Sequence, residues 1–401
     1  MKTELTLNPQ GTVTTPQGFM AGAAYAGINK HSRFNLDVAI LLSAVPSNGV
    51  GIFTTNKIKA ASVLLCQKIL PSATVRGIVV NSGCANASTG EYGQADAQNM
   101  SALAAAVAGV NMPDMLVAST GVIGRRLPLE LIATAINKIK PSTEGGYEMA
   151  KAIMTTDIKP KHCAVSAGSF TIGGVAKGAG MIHPNMATLL GFITTDANVE
   201  LTFLQSCLKV AAEKSFNMIS VDGDTSPNDS LILLANGMAG GDIIHKDSAY
   251  ASVFLQALEM LCIHLAKEIV RDGEGATRLI EVTVLGAQSH DDASKVVHTV
   301  ISSPLVKTAV HGCDPNWGRI VVAAGRSGAA LEENKLDLSI SNIAVMRQGV
   351  PLPLDTQHLS NALMLEQINI EINLNLGSYC ATGWGCDLSK EYVSINADYT
   401  T

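Results

Sequence analysis

The stretch Ile368-Asn-Ile-Glu-Ile-Asn-Leu374 alternates apolar and polar residues. Successive side chains of a strand point to opposite faces, so this pattern predicts a strand with one face in a core and one toward water. Shorter β-like runs occur at residues 37–42, 77–80, 115–118, 231–234, 280–285 and 320–324. Helical spacing lies between them. Pro128 stands where a first helical residue would be, and Leu131, Ile132, Ala135, Ile136 and Ile139 follow at a 3.6-residue period. A second helix reads from about Thr202, with Phe203, Leu204, Cys207, Leu208, Ala211 and Ala212 on one face. A longer one carries Phe254, Leu258, Leu261, Leu265 and Ile269, and the Ala-rich residues 95–110 are a fourth. Strict β-α-β alternation is missing, which disfavours a simple parallel doubly wound sheet. The expected fold class is α/β, with mixed sheets and helices packed outside them. Residues 140–146 and 236–246 are the best linker candidates.

The chain has 401 residues, of which 47% are hydrophobic and 15% charged, so it is expected to be globular. Aromatic residues are only 4%, which leaves Ala, Val, Ile and Leu to build the core. A net charge of −6 without a Lys/Arg stripe argues against nucleic-acid binding. The apolar runs are too short for a membrane span. The opening residues MKTELTLNPQ contain no basic region followed by an apolar run, so no export signal is read there. Cys66, Cys84, Cys163, Cys207, Cys262, Cys313, Cys380 and Cys386 form no CxxC pair, and reduced thiols in the cytoplasm are expected.

The chemistry concentrates in Gly173-Gly-Val-Ala-Lys-Gly-Ala-Gly-Met-Ile-His-Pro-Asn-Met-Ala-Thr-Leu-Leu-Gly191. A phosphate cradle is one reading, but Lys177 precedes its glycines, no Ser/Thr follows a Lys here, and GxGxxG is absent. A second reading starts from Ala187-Thr188. Backbone cleavage before a threonine frees an α-amino group on the same residue as the hydroxyl, which supplies the base that a hydroxyl nucleophile needs. Such an amine, with a pKa of about 7.7–8.0, is partly free near neutral pH. From residue types alone, the better reading of Thr188 is a β-branched residue opening a strand. Three other constellations offer rival readings. His311, Cys313 and Asp314 lack a second ligand group at metal-site spacing. Asp222, Asp224, Asn228 and Asp229 miss the order of a calcium loop and read as a turn network. Cys84, in a glycine-flanked loop, is a rival nucleophile.

Blocks along the whole chain carry a resemblance. They are Phe53-Thr-Thr-Asn-Lys-Ile-Lys-Ala-Ala, Asn81-Ser-Gly-Cys-Ala-Asn-Ala, Ser119-Thr-Gly-Val-Ile-Gly, Thr155-Thr-Asp and Lys177-Gly-Ala-Gly-Met-Ile. Pro184-Asn-Met-Ala-Thr-Leu-Leu, Val221-Asp-Gly-Asp-Thr, Arg271-Asp-Gly-Glu-Gly-Ala-Thr, Asp314-Pro-Asn-Trp-Gly-Arg-Ile and Asn396-Ala-Asp-Tyr-Thr-Thr follow in order. In these the chain resembles the ornithine acetyltransferases, or glutamate N-acetyltransferases, of arginine biosynthesis. Ile158 and Met218 depart from the family pattern, and neither is assigned to chemistry.

The resemblance implies self-cleavage between Ala187 and Thr188. This gives an α piece, 1–187, and a β piece, 188–401, which stay together and assemble as two of each. It implies a layered α/β sandwich like that of self-processing aminopeptidases. It implies a ping-pong transfer of acetyl from N2-acetylornithine through Thr188 to glutamate. Thr120, through its hydroxyl, and Gly121, through its N–H, map onto the oxyanion donors. Thr155, Lys177, Thr188, Glu274, Asn396 and Thr401 map onto substrate contacts. Lys177 suits an α-carboxylate and Glu274 the cationic amine of ornithine. No cofactor or metal is implied, and whether acetyl-CoA is a second donor substrate is left open. The alternatives are a self-processing aminopeptidase or amidase that passes the acyl group to water, and an uncleaved metabolite-binding protein.

Overall fold

The computed structural model describes residues 4–30, 32–183 and 189–398. Two mixed sheets form its frame. The larger runs in the order Thr6–Asn8, Lys161–Ser166, Thr171–Lys177, Leu190–Thr195, Ser230–Ala235, Val38–Phe53, Ser72–Asn81 and Met115–Ser119, with Phe19–Ala24 also paired to Val38–Phe53. Its central strands Leu190–Thr195 and Ser230–Ala235 are buried along their whole length, which requires cover on both faces. Helices Ala61–Ile69, Gly90–Ala108, Leu129–Ile136 and Gly146–Ala152 cover one face. Leu201–Glu213 and Ala251–Arg271 cover the other.

The smaller sheet runs Val350–Pro351, Ile343–Arg347, Asp337–Ile340, Gln367–Asn373, Leu279–Ala287, Tyr379–Cys386 and Ile219–Ser220. Its strand Gln367–Asn373 shows the expected alternation: Ile368, Ile370 and Ile372 are buried and Asn369 and Glu371 exposed. Helix His290–Ile301 packs on Leu279–Ala287 and Tyr379–Cys386. Helix Ala251–Arg271 touches both sheets and joins them in one core, with Phe254, Leu258, Leu261, Leu265 and Ile269 all fully buried. The result is the mixed, layered α/β arrangement expected of the sequence.

Some expectations need correction. Residues 320–324 are not a strand but lie in the helix Gly318–Gly325. Ile320, Ala323 and Ala324 are buried while Val322 is 66% exposed, an i, i+3, i+4 pattern that a short apolar run hides. The run at 37–42 belongs to the much longer strand Val38–Phe53, which continues past Pro46 through shifts in its ladder with Ser72–Asn81. Pro128 caps its helix rather than opening it, and Ile139 is buried beyond the helix end. Neither linker candidate separates domains. Ser142 exchanges backbone hydrogen bonds with Ala21, and Ile244 with Asn198 and Glu200.

Candidate functional site

The strand Met115–Ser119 ends at the turn that presents Thr120 and Gly121. The Thr120 N–H donates to the Asn81 carbonyl at 3.0 Å, and an isolated bridge to Cys84 holds the turn against residues 83–85. Gly121 has φ +123°, and a Cβ there would lie 2.4 Å from the Gly83 carbonyl carbon. Only glycine fits both the conformation and the space. Among the described residues no hydrogen bond uses the Gly121 N–H. Asn228 stabilises the turn from the far side. Its buried Nδ2 donates to the carbonyls of Ser119 at 2.7 Å and Ala85 at 2.6 Å.

Lys177 ends the strand Thr171–Lys177 and is 3% exposed. Its Nζ donates to Thr120 Oγ1 at 2.6 Å. Because the oxygen accepts that bond, the Thr120 hydroxyl hydrogen is available to another acceptor. Burial pushes the Lys177 ammonium below its ordinary range, and the nearby Lys161 adds to this. Asp157, Asp229 and Glu274 oppose the shift. The sequence suggested that Lys177 meets a substrate carboxylate; in the structure its first partner is the threonine hydroxyl.

Glu274 forms the facing wall. Its N–H donates to the Ala179 carbonyl at 2.9 Å, and its carboxylate accepts from Asn396 Nδ2 at 2.7 Å. A Cβ on Gly180 would stand 2.5 Å from that carboxylate, so glycine there lets the chain pass over Glu274. Met181 follows with φ +58°, and Asp222 accepts the N–H groups of Met181 and Ile182. Asn396 lies on the helix Lys390–Asp398.

Thr120, Gly121, Thr155, Lys177, Glu274 and Asn396 thus line one cleft that is open to solvent on one side. Ile123, Thr156, Ala179, Gly180, Met181, Ser226, Pro227 and Asn228 complete it. Ala187, Thr188 and Thr401 lie outside the described residues. The next residues, Leu189 and Leu190, are tied to this cleft's surroundings. Leu189 N–H donates to Asp229 at 3.2 Å, and Leu190 pairs with Lys177 across the ladder. Asp229 is buried, and burial holds its carboxyl well above the usual range against the pull of Lys177.

The alternatives find other partners. His311 Nδ1 contacts Asp387 at 2.7 Å, Cys313 faces the Leu363 carbonyl, and Asp314 lies near Arg319. No acidic, His and Cys cluster suited to a metal occurs among the described residues. Burial pushes the Cys84 thiol up, and it donates to the Arg125 carbonyl, so little thiolate would form. All eight cysteines are free. No described helix is long and apolar enough to cross a membrane. The turn network read from the sequence around Asn228 lies at the cleft, where Asn228 supports the turn after Ser119. Sequence reasoning missed Asp157, which stands in Thr155-Thr-Asp with no local signal of its role.

The sequence matches the model of the ArgJ family over residues 20–401. It is 53% identical to the arginine biosynthesis bifunctional protein ArgJ of Dehalococcoides mccartyi, with 100% of both chains covered. The solved structure of the bifunctional ArgJ protein of Bacillus halodurans aligns with a TM-score of 0.50 and 40% identity, covering 51% of this chain and 97% of that one. That of ornithine acetyltransferase from Mycobacterium tuberculosis, complexed with ornithine, aligns with a TM-score of 0.43 and 35% identity, covering 47% of this chain and 100% of that one.

Proposed function

The chain belongs to the ArgJ family, and from that premise we propose a self-cleaving acetyltransferase that moves acetyl from N2-acetylornithine to glutamate through Thr188. It is an acyltransferase of arginine biosynthesis. The bifunctional relatives support a second use, acetylation of glutamate from acetyl-CoA. The observation that carries the reading is the meeting of Thr120, Gly121, Thr155, Lys177, Glu274 and Asn396, far apart in sequence, around one cleft.

In the first step the Thr188 hydroxyl attacks the carbonyl of the Ala187-Thr188 bond. The acyl group shifts to oxygen, and water hydrolyses the ester, leaving an Ala187 carboxylate and a free Thr188 amine. In turnover that amine takes the hydroxyl proton as Thr188 attacks the acetyl carbonyl, and returns it to the departing α-amine of ornithine. The amine of glutamate then attacks the acetyl ester and restores the threonine. Each tetrahedral oxyanion accepts from the Gly121 N–H and the Thr120 hydroxyl. The Lys177 ammonium orients that hydroxyl and adds positive charge beside it. Glu274 takes the cationic end of ornithine, with Asn396 steadying its carboxylate. Thr155 and Thr401 complete the substrate contacts.

The pieces 1–187 and 188–401 remain together, and two of each form the working assembly. The B. halodurans chain, nearly all of which aligns to about half of this one, has the size expected of one such piece. The cytoplasm is the assigned compartment. Denaturing electrophoresis with intact-mass measurement tests the cleavage. Two species of 187 and 214 residues (401 − 187) are expected, and a single full-length band from active protein would remove the mechanism. Incubation with acetylornithine tests the acceptor. Ornithine release should depend on glutamate, whereas release indifferent to glutamate would mark an amidase.

A further inference from the structure

Behind the cleft lies a buried ion cluster that the mechanism above does not use. Lys161 is 1% exposed, and its Nζ donates to Asp157 Oδ1 at 2.5 Å and to Asp272 Oδ2 at 2.6 Å. A buried ion cluster is weak evidence for a purely stabilising role, because all three charges lose their hydration. The two carboxylates do more than pair with it. Asp157 Oδ1 also accepts the Gly178 N–H at 2.8 Å, directly after Lys177, and its Oδ2 accepts the Thr155 N–H at 3.0 Å. Asp272, two residues before Glu274 in the chain, accepts at Oδ2 the Ile158 N–H at 3.0 Å and the Lys159 N–H at 3.4 Å. Three segments that line the cleft are thus fastened to one buried point.

We infer that Asp157 and Asp272, bridged by Lys161, are positioning residues for acetyl transfer: they set the spacing of Thr155, Lys177 and Glu274 around the substrate. Asp157 has a second effect: among the charged groups around Lys177 it does most to favour the charged form of that lysine. Asp229 and Glu274 also favour its charge, and Lys161 opposes it. The inference rests on the acetyltransfer reading, since the positioned groups are the ones assigned there.

The test uses full-length Asp157→Asn and Asp272→Asn, with kcat and KM for acetylornithine measured from pH 6 to pH 10 and thermal unfolding followed in parallel. Asp157→Asn should lower kcat at least about tenfold and move the high-pH limb of activity down by about one unit, as the loss of a nearby opposite charge would. Asp272→Asn should act mainly on KM, raising it about fivefold or more with the limb in place, through the wall that holds the substrate's cationic end. Folded variants that keep wild-type kcat, KM and pH profile would overturn the inference, and so would equal shifts of the limb in both. If Asp157→Asn does not fold, Asp272→Asn decides alone: unchanged KM refutes it. Failure of the underlying reading looks different, because then the wild-type chain itself would release no ornithine in a glutamate-dependent way.

Discussion

Lys161 and Lys177 stand at the same end of two adjacent antiparallel strands, with Lys161 opposite Ala176 in the ladder. Both are buried, yet their surroundings differ. Lys161 touches two carboxylates, and Asp157 is held down to about 2 against its burial by Lys161 and Lys177. Lys177 touches a neutral hydroxyl, and burial leaves its charge undersupported. The first charge holds backbone segments together. On the acetyltransfer reading proposed above, the second stays available for a group that forms only during reaction, so the same side chain would serve architecture on one strand and chemistry on the next.

Removing each lysine separates the two roles most strongly. Lys161→Met should cost about 3–5 kcal/mol of stability, because two buried carboxylates lose their counter-charge. Lys177→Met removes one hydrogen bond and should change stability by only about 1 kcal/mol, while activity is largely lost. Denaturant titration of both variants checks this, and similar stability losses would erase the distinction. Thr120→Val tests whether Lys177 acts through the hydroxyl. It should raise the barrier by about 3 kcal/mol, a rate loss of roughly a hundredfold, and adding Lys177→Met to it should cost far less than the sum of the two. Single-turnover kinetics of the double variant measures the coupling.

Acid sharpens the comparison on the structural side. The Asp157 carboxyl is lower in the folded chain than the ordinary value of about 3.9, so its contribution of about 2–3 kcal/mol is present above that pH and fades as pH falls toward 2. The stability gap between wild type and Asp157→Asn should therefore narrow below about pH 4 in calorimetry. A gap constant down to pH 2 would contradict the ion cluster. The smallest effect is expected at the rim. Asn396→Ala frees the Glu274 carboxylate from one donor and should raise KM a few-fold, about 1 kcal/mol, with kcat retained.

Periodicity made much of the frame legible. Ile368–Ile370–Ile372 and Phe254–Leu258–Leu261–Leu265–Ile269 each expose one buried face, and both appear as expected. It failed at Ile320, where five apolar residues carry no readable period and the helical face emerges only from contact with the rest of the core. The cleft residues were legible through family resemblance rather than spacing, because no local pattern says that Thr120, Lys177 and Glu274 meet. The pairing of Lys177 with Thr120, and of Lys161 with two acids, depends on long-range sheet register. Lys161 in particular reads as an ordinary surface lysine in sequence, since lysines are seldom fully buried.

The order of the larger sheet bears on heredity as well as on catalysis. Leu190–Thr195 and Ser230–Ala235 lie side by side, flanked by Thr171–Lys177 on one edge and Val38–Phe53 on the other. A chain severed between 187 and 188 would leave two strands of its second piece laced on both sides into its first. Separating the pieces would mean unpicking two ladders and opening a shared core, so halves should not trade partners once made. In a cell carrying two versions of this gene, every finished catalytic cleft would descend from a single translated chain.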